Sequence, residues 1–495
     1  MTTHASCWRR YRSSGTQPEP RGATHRAPAT LWLGGMSAFI RQLGVDLRAI
    51  VVVGVPLIVN NLSSIGVGVA DTLMTSRLGS QQLAGLAIGN GVWIALFLLG
   101  LGILMALGPT VAQHFGAGRD HEIGHDTRQG LWLALLIAVT IIVVMRHMAP
   151  LFIAVGIEHA VAVLAQDYLD YLSWGVPGAY GYHTLKQMNE GIGRTVPIMA
   201  VVTAVLPLNV LLNYGLLFGR LGLPALGAPG CGLGSAMSFW VMFALLGAHT
   251  LYSPRYERFH LWREVERPDG TALKRLVALG LPIGVSLCLQ SGLFTAVAML
   301  MGTLGSAAVA AHQITLNYCG IVFMVPLGFA MALTVRVGQA VGRQDIAGAR
   351  RIGFTGFALC GLCTCGAAVT TLLFASDIIA VYSRDPQVAA IALTLFKIGA
   401  ALQLADGLQA AASFALRGLK DTRVPLVLNA LNYWGIGFTL AYGLFHYADA
   451  GATGIWSGLT TALWVAAVLL IGRFVLLTRR LIDTATLART SLSGV

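Results

Sequence analysis

Residues 54–116 and 280–342 carry one pattern written twice, in register without a gap across two apolar segments and the turn between them. Gly54-x-Pro56 returns as Gly280-x-Pro282, Leu78-Gly79-Ser80 as Leu304-Gly305-Ser306, Met105-Ala106-Leu107 as Met331-Ala332-Leu333, and Gln113-x2-Gly116 as Gln339-x2-Gly342. Each pair stands 226 positions apart. A chain that repeats half of itself within a membrane builds two similar bundles around a shared centre, the arrangement on which alternating-access transport rests.

The membrane setting follows from what the chain lacks. Only 11% of its residues are charged and its mean hydropathy is +0.70, whereas a soluble globular protein carries roughly 25% charged residues. Apolar runs of the roughly 20 residues needed to cross hydrocarbon recur after residue 47. They fall near 48–75, 85–112, 130–150, 160–182, 196–218 and 230–252, then 273–300, 307–335, 352–374, 390–414, 424–446 and 452–476. The runs are continuous and do not alternate every second residue, which excludes a β-barrel. The expected fold is an all-α polytopic membrane protein: twelve transmembrane helices in two parallel six-helix repeats around a central cavity.

The domains expected are a disordered extension (1–47), a first lobe (48–252), a basic linker (253–272), a second lobe (273–476) and a tail (477–495). Later parts of the halves also echo each other, with Thr195-x-Pro197 matching Thr422-x2-Pro425 and Tyr214-Gly215-Leu216 matching Tyr442-Gly443-Leu444. Basic residues collect in alternate gaps, among them Arg119, Arg128, Lys186, Arg194, Arg255, Arg336, Arg343, Arg417 and Lys420. By the positive-inside rule both termini are cytoplasmic, which for a bacterial chain means a multi-pass protein of the inner membrane. The same dispersal explains the net charge of +12 without a nucleic-acid partner, because no separate basic domain exists to hold a duplex.

The seven cysteines give no disulfide framework, and Cys360-x2-Cys363-x-Cys365 lacks nearby His or carboxylate partners for a structural metal. No G-x4-G-K-[ST] phosphate loop, H-E-x2-H or G-x-S-x-G occurs, so neither ATP hydrolysis nor a familiar enzyme chemistry is legible. No cofactor is expected; energy would come from an ion gradient.

A charge inside the bilayer costs at least about 2.5 to 3.5 kcal/mol, so acidic residues deep in spans point to function. Asp71 and Asp406 stand out. Asn209 and Asn213 lie four apart on one face of the fifth span, and with Asp71 they offer one carboxylate and two amide oxygens to a coupling Na+ or H+. Gln403 and Gln409 flank Asp406 as a polar stripe. Gln313 and Asn317, with Tyr180, Phe294 and Met324, are candidate cavity lining. Pro56 and Pro282 each remove a helix hydrogen bond and are candidate hinges. His183 and His312 read as solvated or capping residues near span ends.

Several of these segments together resemble a known family. Val69-Ala70-Asp71-Thr72-Leu73-Met74-x2-Arg77-Leu78-Gly79, Val309-Ala310-Ala311-His312-Gln313-Ile314, Arg336-Val337-Gly338-Gln339 and Leu416-Arg417-Gly418-Leu419-Lys420-Asp421-Thr422 are similar to the MATE family, the multidrug and toxic compound extrusion transporters, with the NorM-like bacterial branch nearest. The resemblance runs from about 48 to 476. It implies two six-helix lobes exporting small organic, often cationic, compounds through the lipid bilayer against Na+ or H+, by a chain acting alone. It also implies a cation site at Asp71, Asn209 and Asn213, and a cation or substrate site at Asp406. The family's acidic partner in the seventh helix is Gln290 here, a departure that shifts coupling toward the first lobe. The rival readings are a lipid-linked-oligosaccharide flippase of the same superfamily and a membrane-embedded enzyme.

Overall fold

A computed structural model describes residues 29–263 and 266–493, and among them no strand occurs. The first half holds α1 (Ala29–Ser76), α2 (Ser80–Leu104), α3 (Leu107–Gly116), α4 (Asp120–Arg146), α5 (Ala149–Ala154), α6 (His159–Ser173), α7 (Val176–Gly191), α8 (Val196–Phe218) and α9 (Ala228–Tyr252). The second holds α10 (Gly270–Gly302), α11 (Ser306–Gly342), α12 (Ile346–Leu373), α13 (Ala375–Tyr382), α14 (Pro386–Gly418), α15 (Arg423–Ala430), α16 (Thr439–His446) and α17 (Gly451–Ser493). By chain contacts residues 1–44 and 45–495 are separate units. The helix bundle is the second.

Among the described residues eleven helical segments are long and apolar enough to cross a bilayer. The remaining expected span, at 160–182, is made by α6 and α7, each too short alone. The break has a local cause. Pro177 sits in the first turn of α7 and cannot supply a helix hydrogen bond, while Gly175 packs its α-carbon side against Ala236, where a side chain would not fit. A second irregularity, the π-helical turn Leu431–Phe438, joins α15 to α16.

Part of the extension drawn over 1–47 lies outside the described residues, but from Ala29 the backbone is already helical and continuous with the first span. The tail drawn from 477 continues α17 to Ser493. The linker is held rather than loose. His125 Nδ1 lies 2.6 Å from a Glu266 carboxylate oxygen, Arg128 pairs with the other oxygen, Trp132 Nε1 donates to the Glu266 carbonyl at 2.9 Å, and Gln129 donates to the Arg267 carbonyl at 3.0 Å. The Arg128 and His125 hydrogen bonds hold the Glu266 carboxyl down at about 2, below the ordinary carboxylate range.

Large aliphatic side chains remain exposed along the outer faces, such as Leu136, Val139 and Val143 on α4 and Leu362, Val369 and Leu373 on α12. In a bilayer these face lipid. Lipid tails are as apolar as leucine, so helices associate there through close packing and hydrogen bonds. The repeat supplies both. Ile50, Val53 and Leu57 of α1 pack among Phe329, Leu333, Leu416 and Phe474 of the second half; reciprocally, Leu273, Leu276 and Val277 of α10 pack within the first half's core. The glycine of each Gly-x-Pro lies at such a crossing, Gly54 against Phe329 and Gly280 against the Ile103 backbone. Both α1 and α10 run as unbroken helices through Pro56 and Pro282.

At one end of the bundle the halves meet through their repeated motif. Gln113 Nε2 donates to the Gly418 carbonyl at 3.0 Å, and Gln339 Nε2 donates to the Gly191 carbonyl at 3.0 Å. Gly116 lies against the Gln339 carbonyl and Gly342 against the Gln113 carbonyl, positions where any β-carbon would collide. The acceptors are themselves repeat equivalents at the ends of α7 and α14. After each, one residue takes a left-handed conformation, Gly193 at φ 78° and Lys420 at φ 59°. Thr195 and Thr422 then anchor to their own half's first helix, donating to the Val53 and Leu279 carbonyls at 2.9 and 3.0 Å. Two ion pairs flank this seam with their signs exchanged: Asp126 with Arg275 at 2.6 Å, and Asp46 with Arg351 at 2.7 Å.

Candidate functional site

Three cavities open within the bundle. The first, of about 330 Å³, lies in the first half and is lined by Asn60, Asp71, Trp93, Asn209 and Ser238 among others. Asp71 projects from the apolar outer part of α1 and meets α8. Asn213 Nδ2 donates to Asp71 Oδ1 at 2.5 Å and to Asn209 Oδ1 at 3.1 Å, while Asn209 Nδ2 donates to Ser238 Oγ at 3.1 Å. Asn213 Oδ1 is buried with no hydrogen-bond partner. Gly234 leaves it room, since a β-carbon at 234 would land on that oxygen. The structure therefore brings together Asp71, Asn209 and Asn213 and adds Ser238, which the sequence reading missed. Toward Asp71 the amide of Asn213 is a hydrogen-bond donor, while its unpartnered oxygen lies against Gly234. Asn213 is not among the cavity-lining residues, so the oxygens offered to a hard cation or a proton in this cavity are those of the Asp71 carboxylate. Neither of the two expected amide oxygens is free beside the carboxylate, because Asn209 Oδ1 accepts from Asn213 and Asn213 Oδ1 is turned to Gly234.

The second cavity, of about 310 Å³, lies in the second half and is lined by Gln290, Phe294, His312, Gln403, Asp406 and Trp456 among others. Asp406 Oδ1 is buried and unpartnered. Gln403 is tied down, donating to Cys319 Sγ at 3.5 Å and accepting from Thr371 Oγ1 at 3.3 Å. His312 is 1% exposed and accepts at Nδ1 from Trp456 Nε1 at 3.2 Å, so its reading as a solvated or capping residue is wrong.

The third cavity, of about 260 Å³, lies between the halves. It is lined by Lys186, Gln187, Gln290, Gln409, Arg417 and Tyr433, with further apolar groups. Gln409 donates to Tyr433 Oη at 3.0 Å. The stripe through Gln403, Asp406 and Gln409 is thus divided between two cavities. Steps of three residues fall short of a full turn by about 60° each, so the outer members diverge by about 120°.

Other expectations fail on geometry. Gln313 and Asn317 are exposed on α11 and line none of these cavities. Tyr180 is fully buried beneath Phe97, its ring stacked at 5.6 Å, and Met324 also lies outside the three linings. Phe294 and Trp93 do line cavities. His183, far from capping a helix, lines both the first and third cavities.

Lys186 and Arg417 were counted with the loop charges, yet both belong to helices and line the central cavity. Lys186 is 8% exposed and stands 3.7 Å from Glu190, which is 5% exposed. The available signal was Lys186 and Glu190 at i and i+4, the spacing of a helical ion pair.

Comparison with known proteins joins this geometry to the repeat. The MatE family model matches residues 56–215 and again 282–443, once per half. The chain belongs to the MatE family. Multidrug resistance protein MdtK of Yersinia enterocolitica serotype O:8 / biotype 1B is 34% identical over 431 residues, covering 86% of this chain and 94% of that one. MdtK of Yersinia pseudotuberculosis serotype O:1b is 35% identical over 434 residues, covering 87% and 95%. The fold is shared with the eukaryotic MATE transporter AtDTX14, at TM-score 0.80 and 19% identity over 90% of this chain and 99% of that one. It is shared also with a multidrug resistance MATE transporter in its outward-facing conformation, at 0.81 and 20% over 88% and 97%. This MatE chain is a membrane transporter and not an enzyme.

Proposed function

We propose that this transporter is a secondary-active multidrug exporter that moves amphipathic organic cations out of the cell while Na+ or H+ enters through the cavity at Asp71. The observation that carries this is the Asp71 carboxylate itself, which lines the first-half cavity beside Asn209 and is oriented by a hydrogen bond from Asn213 Nδ2. That arrangement is ready for a cation yet built of side chains that a helix movement can separate. The MdtK relatives, named as multidrug resistance proteins, support multidrug export. Gln290, neutral where a second carboxylate would complete the other half's site, supports coupling through the first half.

In this reading the termini are cytoplasmic, the protein sits as a monomer in a bacterial inner membrane, and the seam made by Gln113 and Gln339 closes the cytoplasmic side. The seam is then the gate that must part when substrate enters. A lipid-linked-oligosaccharide flippase is the second reading, favoured by Lys186 and Arg417 in the central cavity. Glu190 compensates Lys186, leaving one net charge where a pyrophosphate would need two or more.

The test is dye export from proteoliposomes under imposed Na+ and H+ gradients applied separately. Asp71→Asn should insert normally and lose gradient-driven export. Undiminished export by that variant would sink the assignment of Asp71.

A further inference from the structure

The central cavity has a charge its proposed substrates would not choose. Lys186 and Arg417 line it, and its lining includes no Asp or Glu. Asp71 faces the first-half cavity, which Lys186 also lines, and Asp406 the second-half cavity, while Glu190 lines a small pocket with Arg417. The two cations and this one carboxylate leave the central region with a net positive charge. Lys186 has Glu190 at 3.7 Å. Arg417 is less well provided: its Nη1 is buried with no hydrogen-bond partner, and its guanidinium rests over the Phe414 ring at 4.1 Å. A guanidinium with an unused donor beside an ammonium, in surroundings of low dielectric, repels a cation and attracts a planar anion.

The central cavity adjoins the second-half cavity. Gln290 and Phe323 line both the central and the second-half cavity, so a molecule occupying the centre reaches toward Asp406, whose Oδ1 is unpartnered among Phe294 and Trp456. We infer that the floor of the central cavity is an anion subsite, in which Arg417 of one half and Lys186 of the other hold the carboxylate of a zwitterionic amphiphile whose cationic end lies with Asp406. This deepens the exporter reading and rests on it. The carboxylate would connect the two halves.

A matched pair of dyes tests this. Rhodamine 19 and rhodamine 6G share one cationic xanthene, and rhodamine 6G is the ethyl ester of the other's carboxylate. Fluorescence anisotropy with the purified full chain at neutral pH gives both affinities. Rhodamine 19 should bind about tenfold more tightly than its ester, Arg417→Gln should erase that preference while the ester binds at least as well as before, and Arg417→Lys should keep most of it. Equal affinities in the native chain overturn the subsite without depending on any variant. A preference that survives Arg417→Gln overturns it also. If the native chain binds neither dye and exports neither under any gradient, the exporter reading fails and takes the subsite with it; binding that discriminates without gradient-driven export sinks the exporter reading alone.

Discussion

Removing the paired glutamine contacts should open the seam, and the size of the effect follows from the bonds lost. Gln339→Ala removes the donor to Gly191 and an acceptor for Arg336 Nη1 at 3.1 Å; Gln113→Ala removes the donor to Gly418. A neutral hydrogen bond contributes about 1 kcal/mol net, so losing both cross-half bonds weakens the closed seam by about 2 kcal/mol. The ratio of closed to open molecules then falls about thirtyfold. The two ion pairs at this end remain and limit the shift. Spin-label amino acids at exposed positions 119 and 343, on the turns after α3 and α11, report the separation of the halves by pulsed electron resonance. The double variant should gain a longer-distance population, and each single variant should gain part of it in similar measure. A double variant whose distances superimpose on those of the native chain refutes the latch, and one single variant carrying the whole effect refutes its reciprocity.

Three further outcomes follow. Exchanging the charges of one flanking pair, Asp126→Arg with Arg275→Asp, should recover most of the export lost in either single variant, because the pair joins the halves by charge; failure to recover indicates that His114, 3.1 Å from Asp126, matters more. Gly234→Ala, adding one methyl where Asn213 Oδ1 lies, should impair gradient-driven export nearly as severely as Asp71→Asn while leaving the carboxylate intact; normal export by this variant would remove Asn213 from the ion path. Glu266→Gln should lower the melting temperature by the equivalent of about 1 kcal/mol, since a partly exposed pair contributes little more. Because the Glu266 pKa is depressed to about 2, its contribution is fully present above the ordinary carboxylate range and is lost progressively as pH falls from there to about 2. The gap between native and variant should therefore persist from about pH 7 to about pH 5.5 and shrink as pH falls further, and a gap already closed at about pH 5.5 would contradict the clamp.

Hydropathy made the spans legible because lipid leaves a backbone no partner except its own helix. The duplication was legible as identity of letters, and it located Gln113 and Gln339 without saying that they reach across to each other's half. That reach depends on the ends of α7 and α14, whose equivalence is blurred in sequence by substitutions such as Gly193 to Lys420. Asp71, Asn209 and Asn213 were found because a carboxylate and an i, i+4 amide pair are rare inside lipid. Lys186 and Arg417 were lost for the converse reason: a rule that assigns basic residues to loops reads any basic residue near a span's end as solvated. Gln313 and Asn317 share the spacing of Asn209 and Asn213, and only the direction of the helix face separates exposed polar groups from buried ones beside Asp71.

The reciprocal seam has a historical consequence. Each half contributes a glutamine donor and a main-chain acceptor, so a half-length ancestor already possessed both sides of the joint and could form it with a second copy of itself as an isologous dimer. Fusion of two such genes then needed to invent no new contact. The joint constrains both halves alike, because its acceptor residues 191 and 418 are glycines packed too closely for a side chain, whereas the first-span carboxylate lies outside it and is present in one half only.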